Sequence, residues 1–116
     1  VTLNIIDEYF LDKITELVKT NLKNNQFTNK YFASLMNMSE SVLYKKIKAI
    51  TGLTIIEFIT KNRLNHVVTL LNKKDMNVTE AAYEAGFNNY SNLYKSFRKK
   101  FGKSPGQYYN QPNNNK

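Results

Sequence analysis

The chain has 116 residues, a formal net charge of +8 and a pI near 9.6. It has no cysteine and a single histidine, His66, which excludes disulfides, thiolate metal sites, cysteine nucleophiles and a multi-histidine metal centre. Hydrophobic content of 41% suits one compact domain or two very small subdomains sharing a core, and no apolar run approaches the ~18–20 residues of a membrane span.

Charge is unevenly placed. Asp7, Glu8, Asp12 and Glu16 gather near the start, and no acid follows Glu84. Lys95, Arg98, Lys99, Lys100 and Lys103 fall in that acid-free stretch. Basic charge gathered on particular helices is the footprint of a polyanion binder. An anionic membrane surface offers a second partner for such charge, and solubility alone a third explanation.

Residues 1–6 read as the remnant of an upstream linker, and the initial Val1 fits a segment of a longer protein. A first helix is expected from Asp7 to Lys23, with Ile6, Phe10, Ile14, Leu17 and Val18 on one stripe. After the polar break Asn24-Asn25-Gln26, Thr28 is the expected cap of a helix over 29–36, with Phe32 and Leu35 inward and the small Ala33 at a helix crossing. Asn37-Met38 makes a tight turn. Ser39 caps a third helix over 40–51, closed by Gly52. Thr54 caps a long helix over 55–73, apolar over a wide arc that includes Ile55, Ile56, Phe58, Ile59, Leu64, Val67 and Leu71. Such a rod is about 28–30 Å long, close to the ~34 Å between successive major-groove faces on one side of B-DNA. His66 lies within it and is assigned to packing or solvent.

A loop at 74–77 follows, then a short helix over 80–85 capped by Thr79, with Gly86 as its C-cap. Asn88-Asn89 lead into a helix whose residues Leu93, Phe97 and Phe101 recur every fourth position and so share a face. Tyr90 falls near that face. Asn92, Lys95 and Lys99 fall opposite, with Ser91 and Arg98 on the shoulder. Gly102 closes this helix, and Ser104-Pro105 opens a last one to about Tyr109. Residues 111–116 read as a disordered tail.

The two halves repeat one design. Ser41, Leu43-Tyr44-Lys45, Ile47-Lys48, Gly52 and Thr54 match Ser91, Leu93-Tyr94-Lys95, Phe97-Arg98, Gly102 and Ser104. The turn before the second copy is one residue longer. Helix, short turn and helix in this order form a helix-turn-helix arrangement, which lays its second helix in the major groove. The expected fold is therefore all-α, with about seven helices: two helix-turn-helix units, over 28–52 and 79–102, joined by a linker helix over 54–73, within a domain spanning 7–110.

Sequence reading is expected from Ser41, Tyr44 and Lys45 in the first unit and from Tyr90, Ser91, Asn92, Tyr94 and Lys95 in the second. Hydroxyls read either base class, asparagine suits adenine and lysine suits guanine. The tyrosines have an alternative role in packing at the helix edge. Lys48, Arg98 and Lys99 suit phosphate, as do the helix starts near Ser39 and Asn89. Leu43, Ile47, Leu93, Phe97 and Phe101 are core. An enzyme is disfavoured: there is no catalytic residue set, no glycine-rich phosphate loop and no paired carboxylate site. Cofactor and metal are both expected to be none. The remaining rivals are a protein-docking helical module and non-specific nucleic-acid binding.

These residues resemble the DNA-binding domain of the AraC/XylS family of bacterial transcription regulators. The second half carries Ala82-x-x-x-Gly86-Phe87, Ser91, Lys95, Phe97-Arg98-Lys99, Phe101-Gly102 and Ser104-Pro105-x-x-Tyr108. The first adds Ala33, Ser39, Leu43, Lys45, Lys48, Thr51-Gly52 and Arg63-Leu64. The resemblance spans about Phe10 to Tyr109. It implies seven helices and two recognition helices in adjacent major-groove segments of promoter DNA, with RNA polymerase as a further candidate partner.

Some positions depart from the pattern. Leu93 stands where Phe is common and Val67 where Ala is common. Tyr109, Lys45 and Lys95 stand where Arg is frequent, which loosens the two-pronged match to guanine. The Asn- and Lys-rich style and the acidic leading helix resemble, more narrowly, the output domain of Bacteroidetes hybrid two-component regulators. That implies upstream sensor or receiver domains, a cytoplasmic segment without membrane contact, and an inner-membrane anchor for the full chain. A one-component effector-binding regulator is the alternative.

Overall fold

The computed structural model describes residues 4–73 and 76–109. They form seven α-helices and no strand: α1 (Ile5–Thr20), α2 (Asn29–Leu35), α3 (Glu40–Thr51), α4 (Ile55–Asn72), α5 (Val78–Glu84), α6 (Tyr90–Phe101) and α7 (Pro105–Tyr109). The all-α class, the helix number and the helix order match expectation. Lys74-Asp75 of the expected loop and the expected tail at 111–116 lie outside the described residues. The chain divides into two units, Val1–Asn62 and Arg63–Lys116.

The first unit is built on Phe10, Ile14 and Val18 of α1. They pack with Phe32 and Ala33 of α2, Leu43 and Ile47 of α3, and Ile55, Phe58 and Ile59 of α4. Its α1 starts earlier than the spacing predicts. Asn4, in an extended conformation, accepts the Asp7 N–H on its side-chain oxygen at 2.8 Å, so Ile5 and Ile6 are already helical. Ile6 does not join the stripe; it is 73% exposed, and the stripe finds partners only from Phe10 onward. At the other end, Asn21 turns its amide back onto the Leu17 carbonyl at 2.7 Å, and the helix stops at Thr20, three residues before Lys23. Leu22 is buried even so. In α2, Phe32 is fully buried while Leu35 is half-buried.

The turn between α2 and α3 is set by Asn37, whose φ of 58° is left-handed. It lets the Met38 N–H reach the Ala33 carbonyl at 3.1 Å. In α4, Thr54 and Glu57 cap each other reciprocally, at 2.9 and 3.1 Å. Ile56 is a correction to the wide apolar arc. It sits one step off Ile55, Phe58 and Ile59, which turns it about 100° away from them, and it is 68% exposed.

The second unit is built on Leu64, Val67 and Leu71 of α4, Ala81, Ala82 and Ala85, Phe87, and Leu93 and Phe97 of α6. His66 is half-buried in α4, as expected of a packing residue. The cap of α5 is Asn77, not Thr79. Asn77 accepts the Glu80 N–H at 2.8 Å while Glu80 accepts the Asn77 N–H at 3.0 Å. This reciprocal pair satisfies two donors at once and outcompetes a lone threonine. The C-cap is Ala85, and Gly86 follows it with φ 93°. The Phe87 N–H then donates to the Ala82 carbonyl at 3.0 Å, repeating the Met38–Ala33 bond of the first unit.

Gly102 closes α6 with φ 76°, as Gly52 closes α3 with φ 77°. Ser104 and Gln107 cap α7 reciprocally, both bonds at 3.1 Å, and Pro105 at its first position is buried. Tyr108 packs on the core, its ring 5.4 Å from both Phe97 and Phe101. A Cβ on Gly102 meets nothing within 4 Å, so replacement costs only backbone strain. Gly102→Ala is expected to lower stability by about 1–2 kcal/mol, read as a lower urea midpoint with unchanged slope.

Candidate nucleic-acid interface

Helices α3 and α6 each run 12 residues between a side-chain cap and a left-handed glycine. The Ser39 hydroxyl accepts the Val42 N–H at 3.2 Å, and the Asn89 side chain accepts the Asn92 N–H at 2.9 Å. The caps take one amide each and leave the first two N–H groups of each helix without intrahelical acceptors. These groups and the aligned peptide dipoles make the helix starts electropositive.

Both helices bury one face and present the other. Leu43 and Ile47 of α3, and Leu93 and Phe97 of α6, are fully buried. Phe101 is half-buried, its ring 4.4 Å from that of Phe97. Of the residues expected to read bases, Ser41 and Lys45 on α3 and Ser91, Asn92 and Lys95 on α6 are exposed. Tyr44 is 46% exposed and Tyr90 41%, so neither tyrosine is core, although the spacing set Tyr90 near the apolar face. Tyr94 is half-buried, its ring tilted 53° to that of Tyr90 with centroids 6.0 Å apart.

Of the residues expected to hold phosphate, Ser39, Lys48, Asn89, Arg98 and Lys99 are all exposed. Lys48 already donates to the Gly52 carbonyl at 3.3 Å, which suits a cation at a helix C-terminus. Lys46 lies with its ammonium 5.1 Å from the centre of the Phe10 ring. Two exposed residues in the first turn of α3, Glu40 and Val42, were not among the expected readers. Their signal was the repeat itself, since they stand level with Tyr90 and Asn92. In α4, burial lowers the pKa of the Arg63 guanidinium.

The family model described as "Helix-turn-helix domain" matches residues 32–111. The chain belongs to the AraC-type helix-turn-helix family. This AraC-type domain is 36% identical over 110 residues to "Histidine kinase P4" of Formosa agariphila, covering 95% of the chain and 8% of that protein. It thus spans a small part of the curated relatives it matches, and 30% of the Streptococcus mutans "Msm operon regulatory protein", to which it is 32% identical over 83 residues, 72% of this chain.

Among solved structures, the AraC-type domain superposes on a Chromobacterium violaceum transcriptional regulator with TM-score 0.79 at 19% identity, covering 94% of this chain and 99% of that one. It also superposes on the DNA-binding domain of AdpA, solved with a target DNA, with TM-score 0.76 at 24% identity, covering 84% and 87%. At these identities the likeness is one of fold. Among the described residues no helix is long and apolar enough to cross a membrane.

Proposed function

We propose that this AraC-type domain binds double-stranded promoter DNA sequence-specifically, through α3 and α6 in adjacent major-groove segments, and so regulates bacterial transcription. The observation that carries this reading is the pair of helices with one design: a capped start, an apolar face in the core and an opposite face of hydroxyl, amide and cationic groups. Residues 28–52 and 79–102 act as the two reading units, with the helix at 54–73 between them. Ser41, Tyr44, Lys45, Tyr90, Ser91, Asn92, Tyr94 and Lys95 meet base edges. Ser39, Lys48, Asn89, Arg98 and Lys99 fix the register on phosphates.

The likeness to the Formosa agariphila histidine kinase supports a second step. On this reading the segment is the cytoplasmic output module of a hybrid two-component protein. Upstream sensor or receiver domains supply its signal, RNA polymerase is a partner at the promoter, and the full chain is anchored in the inner membrane.

The test is selection of bound duplexes from a random library at moderate salt. Two enriched blocks about 10–11 base pairs apart are expected, one for each recognition helix. Salt-sensitive binding that enriches no sequence at all defeats the regulator reading and leaves non-specific nucleic-acid binding in its place.

A further inference from the structure

The shared register of α3 and α6 makes their differences informative. Each runs 12 residues from cap to glycine, with Leu43 level with Leu93 and Ile47 level with Phe97 in the core. In that register Glu40 stands where α6 has Tyr90, and Val42 where α6 has Asn92. Both are exposed, Val42 to 43%. A β-branched side chain is not what helix propensity selects for an outward position in a first turn, and packing does not use it. Glu40 at the helix start is favoured by the peptide dipoles. It also places an acceptor-only group on a surface offered to a polyanion, where it repels phosphate.

The cations of α3 add an independent observation. Lys46 is drawn over the Phe10 ring and the exposed Lys48 rests on the Gly52 carbonyl, which leaves Lys45 as the α3 ammonium without such a contact. Helix α6 presents Lys95, Arg98 and Lys99, all exposed. Helix α3 therefore presents fewer uncommitted cations than α6, and the exposed residues of its first turn, Glu40, Ser41 and Val42, are neutral or acidic. In the major groove the donors available to a carboxylate are base amino groups, with cytosine the established match for Glu, and the apolar feature available to an isopropyl group is the thymine methyl.

We infer that Glu40 and Val42 are specificity-determining residues of the first unit, Glu40 selecting a cytosine and Val42 a neighbouring thymine, while the second unit selects adenine through Asn92. The inference rests on the proposed DNA reading and deepens it. The experiment repeats the library selection with E40Q, V42N and, as a control on the other helix, N92A. E40Q is expected to lose cytosine enrichment at one position of one block by about 5-fold or more, a typical effect of one lost base contact. V42N is expected to exchange thymine for adenine beside it. N92A should alter only the other block, and far-ultraviolet circular dichroism should match the unsubstituted chain in all three.

Two unchanged blocks in E40Q and V42N overturn the inference and leave the proposed function standing. A uniform loss across both blocks, with lowered helicity, assigns Glu40 and Val42 to folding and overturns it as well. An unsubstituted chain that enriches no block overturns both readings together.

Discussion

Replacing Phe97 with alanine is expected to lower the stability of the second unit by about 3–5 kcal/mol, the usual range for emptying a buried aromatic site. Phe97 is fully buried, and its ring lies 4.4 Å from Phe101 and 5.4 Å from Tyr108. Outside Leu93, Phe97 and Phe101, every side chain of α6 is hydroxyl, amide, phenol or cation. The helix therefore holds its place through Leu93 and one aromatic cluster, and truncation of Phe97 leaves a cavity that its neighbours cannot close without moving. A small domain has about 5–15 kcal/mol in total, so the loss removes most of it.

Urea titration gives the magnitude and native-state hydrogen exchange gives the location. Amides of α5, α6 and α7 should lose protection, while those of α1, α2 and α3, which have a separate core, should keep it. A loss below about 1 kcal/mol would show that the cluster is not what holds α6.

The legibility of the sequence follows the same physics. Helix ends with one possible chemistry were readable. Gly52 and Gly102 are left-handed because a residue without Cβ takes that conformation at least cost, and both ends fell where the glycines stand. Starts with several possible chemistries were less so. Asn4 starts α1 ahead of the expected Asp7, and Asn77 takes the cap expected of Thr79, through bonds that depend on backbone placement, and in an asparagine-rich chain composition alone does not rank such candidates.

Ile56 shows the second limit. A run such as Ile55-Ile56 carries no periodicity, and only the packed helix decides which isoleucine goes in. The interface was legible as a face, because period alone puts Asn92, Lys95 and Lys99 opposite Leu93 and Phe97. The partners of Lys46 and Lys48 were not, since flexible lysine stems choose among neighbours that exist only in the fold.

The double variant Arg98→Gln, Lys99→Gln is expected to weaken DNA binding by about 30-fold near physiological salt, without changing which sequence is preferred. Both side chains are exposed in the last turn of α6, past the positions proposed to face base edges, which suits them to the backbone and not to sequence reading. Each lost phosphate contact should lower the slope of log affinity against log salt by about 0.9, and two contacts extrapolated from molar salt give the quoted loss. Helicity should hold, because neither residue contributes to the core, although a small decrease in stability is expected from removing two cations at a helix C-terminus.

The discriminating comparison is between a selected duplex and a random one, each titrated at several salt concentrations. Equal weakening on both, with the slope reduced by about 2, identifies Arg98 and Lys99 as backbone contacts. Weakening confined to the selected duplex would instead make them base readers, and the division between the start and the end of α6 would have to be redrawn. Lys48→Gln supplies the internal standard: held on the Gly52 carbonyl, it should change the slope by less than either residue of α6.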